Sequence, residues 1–422
     1  MKTSIISLES GLLSNTLEQP VINFAQAELL SQTYPTPFLV LSPSRIIKSI
    51  SILREYLPGV KIFYAMKSNP NREILQIIKN LVDGIDVASY GESSICQEVG
   101  FSSDNIIHTN PVKNEFDLEC SVKQGIKWFV IDNMEEIKKI KRLAPYSNLL
   151  LRIAITNPHC IVNLSAKFGA QERDILPILK KARSEGLNVR GISLHVGSQS
   201  TEPDIYYSAV KYARKIFDEA NTAGFTFDTL DVGGGFPISY RDALPTLSQF
   251  CTVLGNGLRE FFPDDLNFLM EPGRCISGGC ITLVTRVIGR AIRNGIPWYY
   301  IDDGVYGAFS GKLFDHCDYR LVSNRSGSLE ECVVAGPTCD SIDIVSHNQR
   351  LPQLEVGDLL LSPGMGAYTI ASATSFNGFA PPRTIVVHNE NQIRGGNLNN
   401  KIINGRLRAY PKTPAARKVM NA

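Results

Sequence analysis

An amine at the end of an apolar run is the first feature with chemical reach. Lys67 closes KIFYAMK and is followed by Ser68, Asn69 and Pro70, so a strand would deliver its amine to a rim where a Schiff base can form. A strand-end lysine is also an ordinary solvated cation. Gly233, Gly234 and Gly235 follow the strand-like TLDV, and their bare N–H groups admit an anion such as phosphate. A tight turn explains a glycine triplet equally well, and no GxGxxG pattern opens a helix here. Glu271-Pro272-Gly273-Arg274 sets an acid and a base around a rigid turn at the end of the next run, a salt-bridged strand end or part of a site. His195 ends SLHVG with Ser198 close behind, which suits a core histidine or a ring stacked flat on an aromatic cofactor. GPTCD carries Cys339 and Asp340 beside a Gly-Pro turn, a loop position for acid-base or substrate-facing groups unless the thiol is buried and inert. Asp315 in KLFDHCD reads by itself as a helix cap or a surface acid.

The elements that must hold these groups are legible as alternation. KIFYAMK, GIDVAS, NIIHTN, KWFVID, NLLLRIAI, VRGISLHVG, TLDVGGGF and NFLMEPG are eight apolar runs with helical patterns between them, the number that closes a parallel (β/α)8 barrel. In QERDILPILKKARSEG, Ile175, Ile178, Leu179 and Ala182 share one helical face, with Gly186 as the stop. Strands that are apolar throughout have both faces covered, so the fold class is α/β rather than a sandwich. Beyond about residue 280, ITLVTRVIGRAI, IPWYYIDD, ECVVAGPT, DLLLSPG and TIVVHNE are punctuated by Gly, Pro and Asp instead of helices, the texture of a second, β-rich domain.

Composition narrows the functional classes. A chain of 422 residues with 43% hydrophobic and 20% charged residues can bury a large core in two domains. Lys and Arg number 43 against 41 Asp and Glu, so no whole-molecule field argues for nucleic acid or an anionic membrane. Nine cysteines without a CxxC pair argue against a disulfide scaffold or a zinc ribbon, and for reduced thiols, a cytoplasmic location and no structural metal. The start, MKTSIISLESGLLSNT, lacks a cleavage site and reads as a surface segment, and no run reaches the roughly 18 apolar residues of a membrane span. Residues 389–422 hold seven Lys and Arg against Glu390 alone; a solvated, flexible tail outweighs a nucleic-acid or partner contact there.

Taken in order, YAMKSNP, DVAS, HVGSQ, DVGGGFP, EPGR, DDGVYGAF, GPTCDSID and GAYTIASATSFNGF form a pattern that resembles the alanine-racemase-fold basic amino acid decarboxylases that use pyridoxal 5′-phosphate. The resemblance spans roughly residues 35–388, and within the family it points to the ornithine branch. It implies a barrel over residues 42–280, a β domain built from 1–41 with 281–388, and a homodimer whose two active sites each draw on both chains. The lysine matching Lys67 holds the cofactor, and the acid matching Glu271 pairs with the pyridine nitrogen, keeping the ring an electron sink. His195 matches the ring-stacking histidine. Ser198, Gly235, Arg274 and Tyr368 match phosphate ligands, with Gly233, Gly234 and Gly273 in the same motifs. Asp86, Arg152 and Lys167 match polar residues near the cofactor. Cys339 matches the proton donor to the α-carbon, Asp315 and Asp340 the acids that receive a distal ammonium, and Phe376 an aromatic wall. Ser68 stands where the eukaryotic members usually have Cys.

The implied reaction turns L-ornithine into putrescine and carbon dioxide. Lysine, or both substrates, is the first alternative, because one methylene is worth only about 1 to 3 kcal/mol of discrimination. Diaminopimelate fits less well, since two acids would repel its distal carboxylate. An inactive homologue that binds a regulatory protein would have lost Lys67 or Cys339, and both are present.

Overall fold

A computed structural model describes residues 17–262 and 266–388. The 1–16 leader and the basic 389–422 segment lie outside the described residues. Strand β1 (Phe38–Leu41) comes first and is followed by β2 (Lys61–Ala65), β3 (Gly84–Val87), β4 (Ile106–His108), β5 (Trp128–Ile131) and β6 (Asn148–Arg152). A short strand β7 (Cys160–Val162) pairs with β9 (Ser198–Ser200) outside the barrel. With β8 (Asn188–Ser193), β10 (Thr229–Asp231) and β11 (Asn267–Met270), strands β2 to β6 form a closed eight-stranded parallel barrel, sealed where Leu269 and Met270 meet Lys61 and Ile62.

Alternation along these strands explains both layers of the barrel. Ile85 and Leu230 pack outward into the main core, so Asp86, Thr229 and Asp231 occupy the inner face. Below them Ile107, Val130, Leu150 and Leu269 close the interior as an apolar plug. The helix Glu172–Ser184 buries Ile175, Ile178, Leu179 and Ala182, the face read from its periodicity, and Gly186 leaves it at φ +71°. Burial of each such aliphatic side chain contributes about 1.5 to 3 kcal/mol.

The remaining strands, β12 (Ile281–Arg293), β13 (Ile296–Ile301), β14 (Glu330–Ala335), β15 (Ile344–Leu351), β16 (Leu359–Pro363) and β17 (Arg383–Val386), build one sheet ordered β15-β14-β13-β12-β1-β17, with β16 also on β12. β1 is thus part of this sheet: Phe38 meets Val284 antiparallel and Arg383 in parallel. Its four residues are all buried because the sheet is covered on both sides. Leu39 and Leu41 join the main core, while Phe38 and Val40 join Val284, Leu361 and Ile385 beneath the helix Phe24–Ser31. Beyond residue 280, two elements stand apart from the runs named in the sequence. β15 alternates poorly, with His347, Asn348 and Gln349 at its centre, and the short helix Gly311–Phe314 interrupts a region read as strands alone.

Candidate active site

The C-terminal ends of the barrel strands surround a cleft that is open at its mouth. Its lining includes Lys67, His195, Ser198, Gly235, Glu271, Gly273, Arg274, Asp315 and Tyr368, seven residues from the barrel or its loops and two from the β-rich part, Asp315 from the 3-10 and helical turn after β13 and Tyr368 from beyond β16. Lys67 sits in a 3-10 turn directly after β2, and its Nζ donates to Asp86 Oδ2 at 2.6 Å. Burial opposes the ammonium charge, but the carboxylates of Asp86 and Glu271 overcome it and raise the Lys67 pKa above its ordinary value. Asp86 also accepts from the Thr109 hydroxyl, which fixes its carboxylate.

Two acids face each other at the cleft floor. Burial, and then the charges of Asp231 and Asp86, push Glu271 well above the usual carboxylate range, and burial also raises Asp231. Asp231 accepts from Gly233 N at 2.9 Å and from Ser193 Oγ at 3.0 Å, whereas Glu271 Oε1 is buried without a partner. The two buried carboxyls titrate together as a pair. Above it, His195 Nδ1 accepts from Gly197 N at 3.0 Å, which leaves the other ring nitrogen to carry the hydrogen. Burial, Arg152 and Lys67 hold the imidazole neutral.

At the opposite end Arg274 is nearly fully buried. Its Nη2 donates to Ser198 Oγ at 2.9 Å and to Asp315, its Nη1 donates to Tyr240 Oη at 2.7 Å, and its guanidinium lies 4.7 Å from the Tyr368 ring centre. Asp315 is buried as its ion-pair partner and ends the helix Gly311–Phe314 on the C-terminal side, so it is neither a surface acid nor an N-cap. Gly273 has no room for a side chain: a Cβ there would stand 2.8 Å from Ser68 Cβ. Of the glycine triplet only Gly235 lines the cleft. Gly233 and Gly234 are required by close packing, since a Cβ would lie 2.1 Å from Leu194 O and 2.4 Å from Glu271 O respectively. Arg152 and Lys167 are not among the lining residues; both lie over the Phe168 ring, at 5.5 and 4.9 Å.

Cys339, Asp340 and Phe376 are not in this lining either. They form a separate cluster on the β-rich part. Asp340 accepts from Tyr306 Oη at 2.6 Å, Tyr306 stacks on Phe376 with ring centres 4.3 Å apart, and Cys339 Sγ donates to Asn377 Oδ1 at 3.2 Å. Cys339 and Phe376 are exposed. The Tyr306 bond holds Asp340 below the usual carboxylate range and pushes the Tyr306 phenol up to about 12. Sequence reasoning gave no role to Tyr306, Asp231 or Asn377, although each lies inside or beside a quoted motif; the only signal was that position.

The cleft fits pyridoxal phosphate on its own chemistry. One end offers an amine and a buried carboxyl with a free oxygen, the other a buried guanidinium, a hydroxyl and a glycine N–H. The family described as "Pyridoxal-dependent decarboxylase, pyridoxal binding domain" matches residues 44–278. The chain is 38% identical over 366 residues to the lysine/ornithine decarboxylase of Selenomonas ruminantium, covering 86% of this chain and 93% of that protein. It is 34% identical over 381 residues to an ornithine decarboxylase of Caenorhabditis elegans, covering 85% and 89%. A solved structure of a lysine/ornithine decarboxylase from Vibrio vulnificus, complexed with putrescine, matches with a TM-score of 0.81 at 34% identity over 87% of this chain and 99% of that one. With the amine, the acid pair and the anion end gathered at one barrel rim, this chain belongs to the pyridoxal phosphate-dependent basic amino acid decarboxylases and is a carboxy-lyase.

Proposed function

We propose that the enzyme converts L-ornithine to putrescine and carbon dioxide, acting as a homodimer in which each cleft is completed by the partner's β-rich cluster. The observation that carries this reading is the division of acids: Asp315 lines the cleft, Asp340 stands in the exposed cluster, and the lining cations, Lys67 and Arg274, are each engaged by a carboxylate. A substrate with a distal ammonium finds two acids, whereas a distal carboxylate finds no free cation among the lining residues.

Lys67 is the covalent anchor for the cofactor, and Asp86 at 2.6 Å holds its amine in place and is positioned to take its proton. The pyridoxal ring, when bound, takes up the electron pair left on the α-carbon as carbon dioxide departs. Glu271, whose carboxyl is shifted upward by burial and by Asp231, is the cleft-floor acid that would pair with the ring nitrogen. His195, neutral and locked by Gly197 N–H, offers a flat uncharged face. Arg274, Ser198, Gly235 and Tyr368 bind the phosphate. Cys339 of the partner carries a proton at Sγ for the α-carbon, Asp340 of the partner meets the ammonium together with Asp315, and Phe376 closes the aromatic wall against water.

A product assay with ornithine, lysine, arginine and diaminopimelate as sole substrates tests the reading. Putrescine from ornithine should show the highest kcat/KM; a higher value for cadaverine from lysine would transfer the assignment to lysine, the second reading favoured by the relatives that act on both.

A further inference from the structure

Resting on the reading of the Arg274 end as the phosphate site, we infer that Gln199 is the positioning residue that holds this cradle together. Gln199 directly follows Ser198 and is buried, yet its backbone stands at φ +55°, in the left-handed region that a side-chain-bearing residue rarely adopts. A strained conformation of this kind persists where surrounding contacts enforce it. The contacts are specific. Gln199 Nε2 donates to Ile238 O at 2.6 Å, and Ile238 N donates back to Gln199 Oε1 at 3.1 Å. One residue on, Ser200 N donates to Gly235 O at 3.0 Å. The Gln199 amide therefore takes the place of a backbone rung between two loops that share no strand pairing.

Both loops converge on Arg274. The first supplies Ser198 Oγ to Nη2; the second supplies Gly235 to the cleft lining and, two residues beyond Ile238, Tyr240 Oη to Nη1. Holding the loops in register thus sets Ser198 and Tyr240 on one guanidinium and Gly235 in the same cleft lining. Only a carboxamide meets the demand, because Ile238 presents an N–H and a C=O side by side and needs an acceptor and a donor in return. Glutamate would press an oxygen against the Ile238 carbonyl, and asparagine is one methylene short. The Lys67, Asp86 and Glu271 end is held by β2, β3 and β11 and does not depend on this bond.

The test separates the two ends of the cleft. Wild type, Gln199→Met and Gln199→Gly, stripped of cofactor, are titrated with pyridoxal phosphate and with phosphate-free pyridoxal, following the visible absorbance of the Lys67-bound ligand. Both variants should bind pyridoxal phosphate about tenfold more weakly and pyridoxal within about twofold of wild type. Glycine relieves the left-handed backbone, so a loss that persists in Gln199→Gly belongs to the amide. Unchanged phosphate-ligand affinity, or equal losses for both ligands, overturns the inference. A wild type that binds both ligands equally would instead remove the phosphate reading from which the inference starts.

Discussion

The cleft at the barrel rim and the Tyr306–Phe376 cluster contain the same kinds of residue in opposite surroundings. In the cleft, Glu271 is buried and Lys67 and His195 are half-buried, and each is displaced from its ordinary ionisation: Glu271 upward, Lys67 upward, His195 downward. In the cluster, Cys339 is exposed, and the phenol of Tyr306 and the carboxylate of Asp340 shift chiefly through their mutual hydrogen bond. Buried titratable groups are costly unless a task requires them, and the cleft has one in holding and tuning a cofactor. The cluster has groups suited to proton delivery and ammonium binding but no enclosure of its own. Chemistry of that kind gains strength where water is excluded, which is why the proposed function has the exposed cluster meet a second surface.

This contrast can be broken experimentally. Lys67→Ala should remove turnover altogether, since the covalent anchor is lost; near-normal diamine production would empty the cleft of its assigned role. Mixing Lys67→Ala with Cys339→Ala protein should then recover up to about a quarter of wild-type activity, because half of the exchanged dimers have one intact site of two. Subunits shown to exchange without recovery would place both halves of the site in one chain. Glu271→Ala should reduce kcat more than about tenfold, roughly 1.4 kcal/mol in the barrier, as the acid at the cleft floor is lost; a smaller loss points to Asp231 as sufficient. Asp340→Asn should raise KM for ornithine and lower kcat/KM by about tenfold or more, with little effect on substrates lacking a distal ammonium. Tyr306→Phe should give the mildest effect, a fewfold rise in KM, by releasing Asp340 from its donor; a loss as large as that of Asp340→Asn would mean that Tyr306 contacts the substrate itself.

Sequence alone carried the barrel because its evidence is local. Each of the eight runs is continuous and apolar, and Ile175, Ile178, Leu179 and Ala182 betray their face by spacing. β15 was missed because its middle is polar and alternation fails there. For the site, residue types at strand ends pointed to the rim, but pairings between distant residues left no trace in the sequence. Nothing near Asp231 indicates Glu271, and nothing near Gln199 indicates Ile238. The glycine triplet shows the limit most clearly: all three members answer to neighbouring backbone, and of the three only Gly235 also lines the cleft.

The placement of β1 has a bearing on how the chain is made. Phe38–Leu41 leaves the ribosome before any barrel strand, but its two neighbours in the sheet, β12 and β17, come after the whole barrel and at the far end of the described chain. Synthesis is vectorial, and a strand with four buried residues must wait through it with both edges unpaired. The barrel, closed by neighbours that follow one another in sequence, can be complete before β17 emerges. Release of the last strand is therefore the event that completes the sheet, and a chain that stops short of Arg383 lacks the strand that covers the second edge of β1.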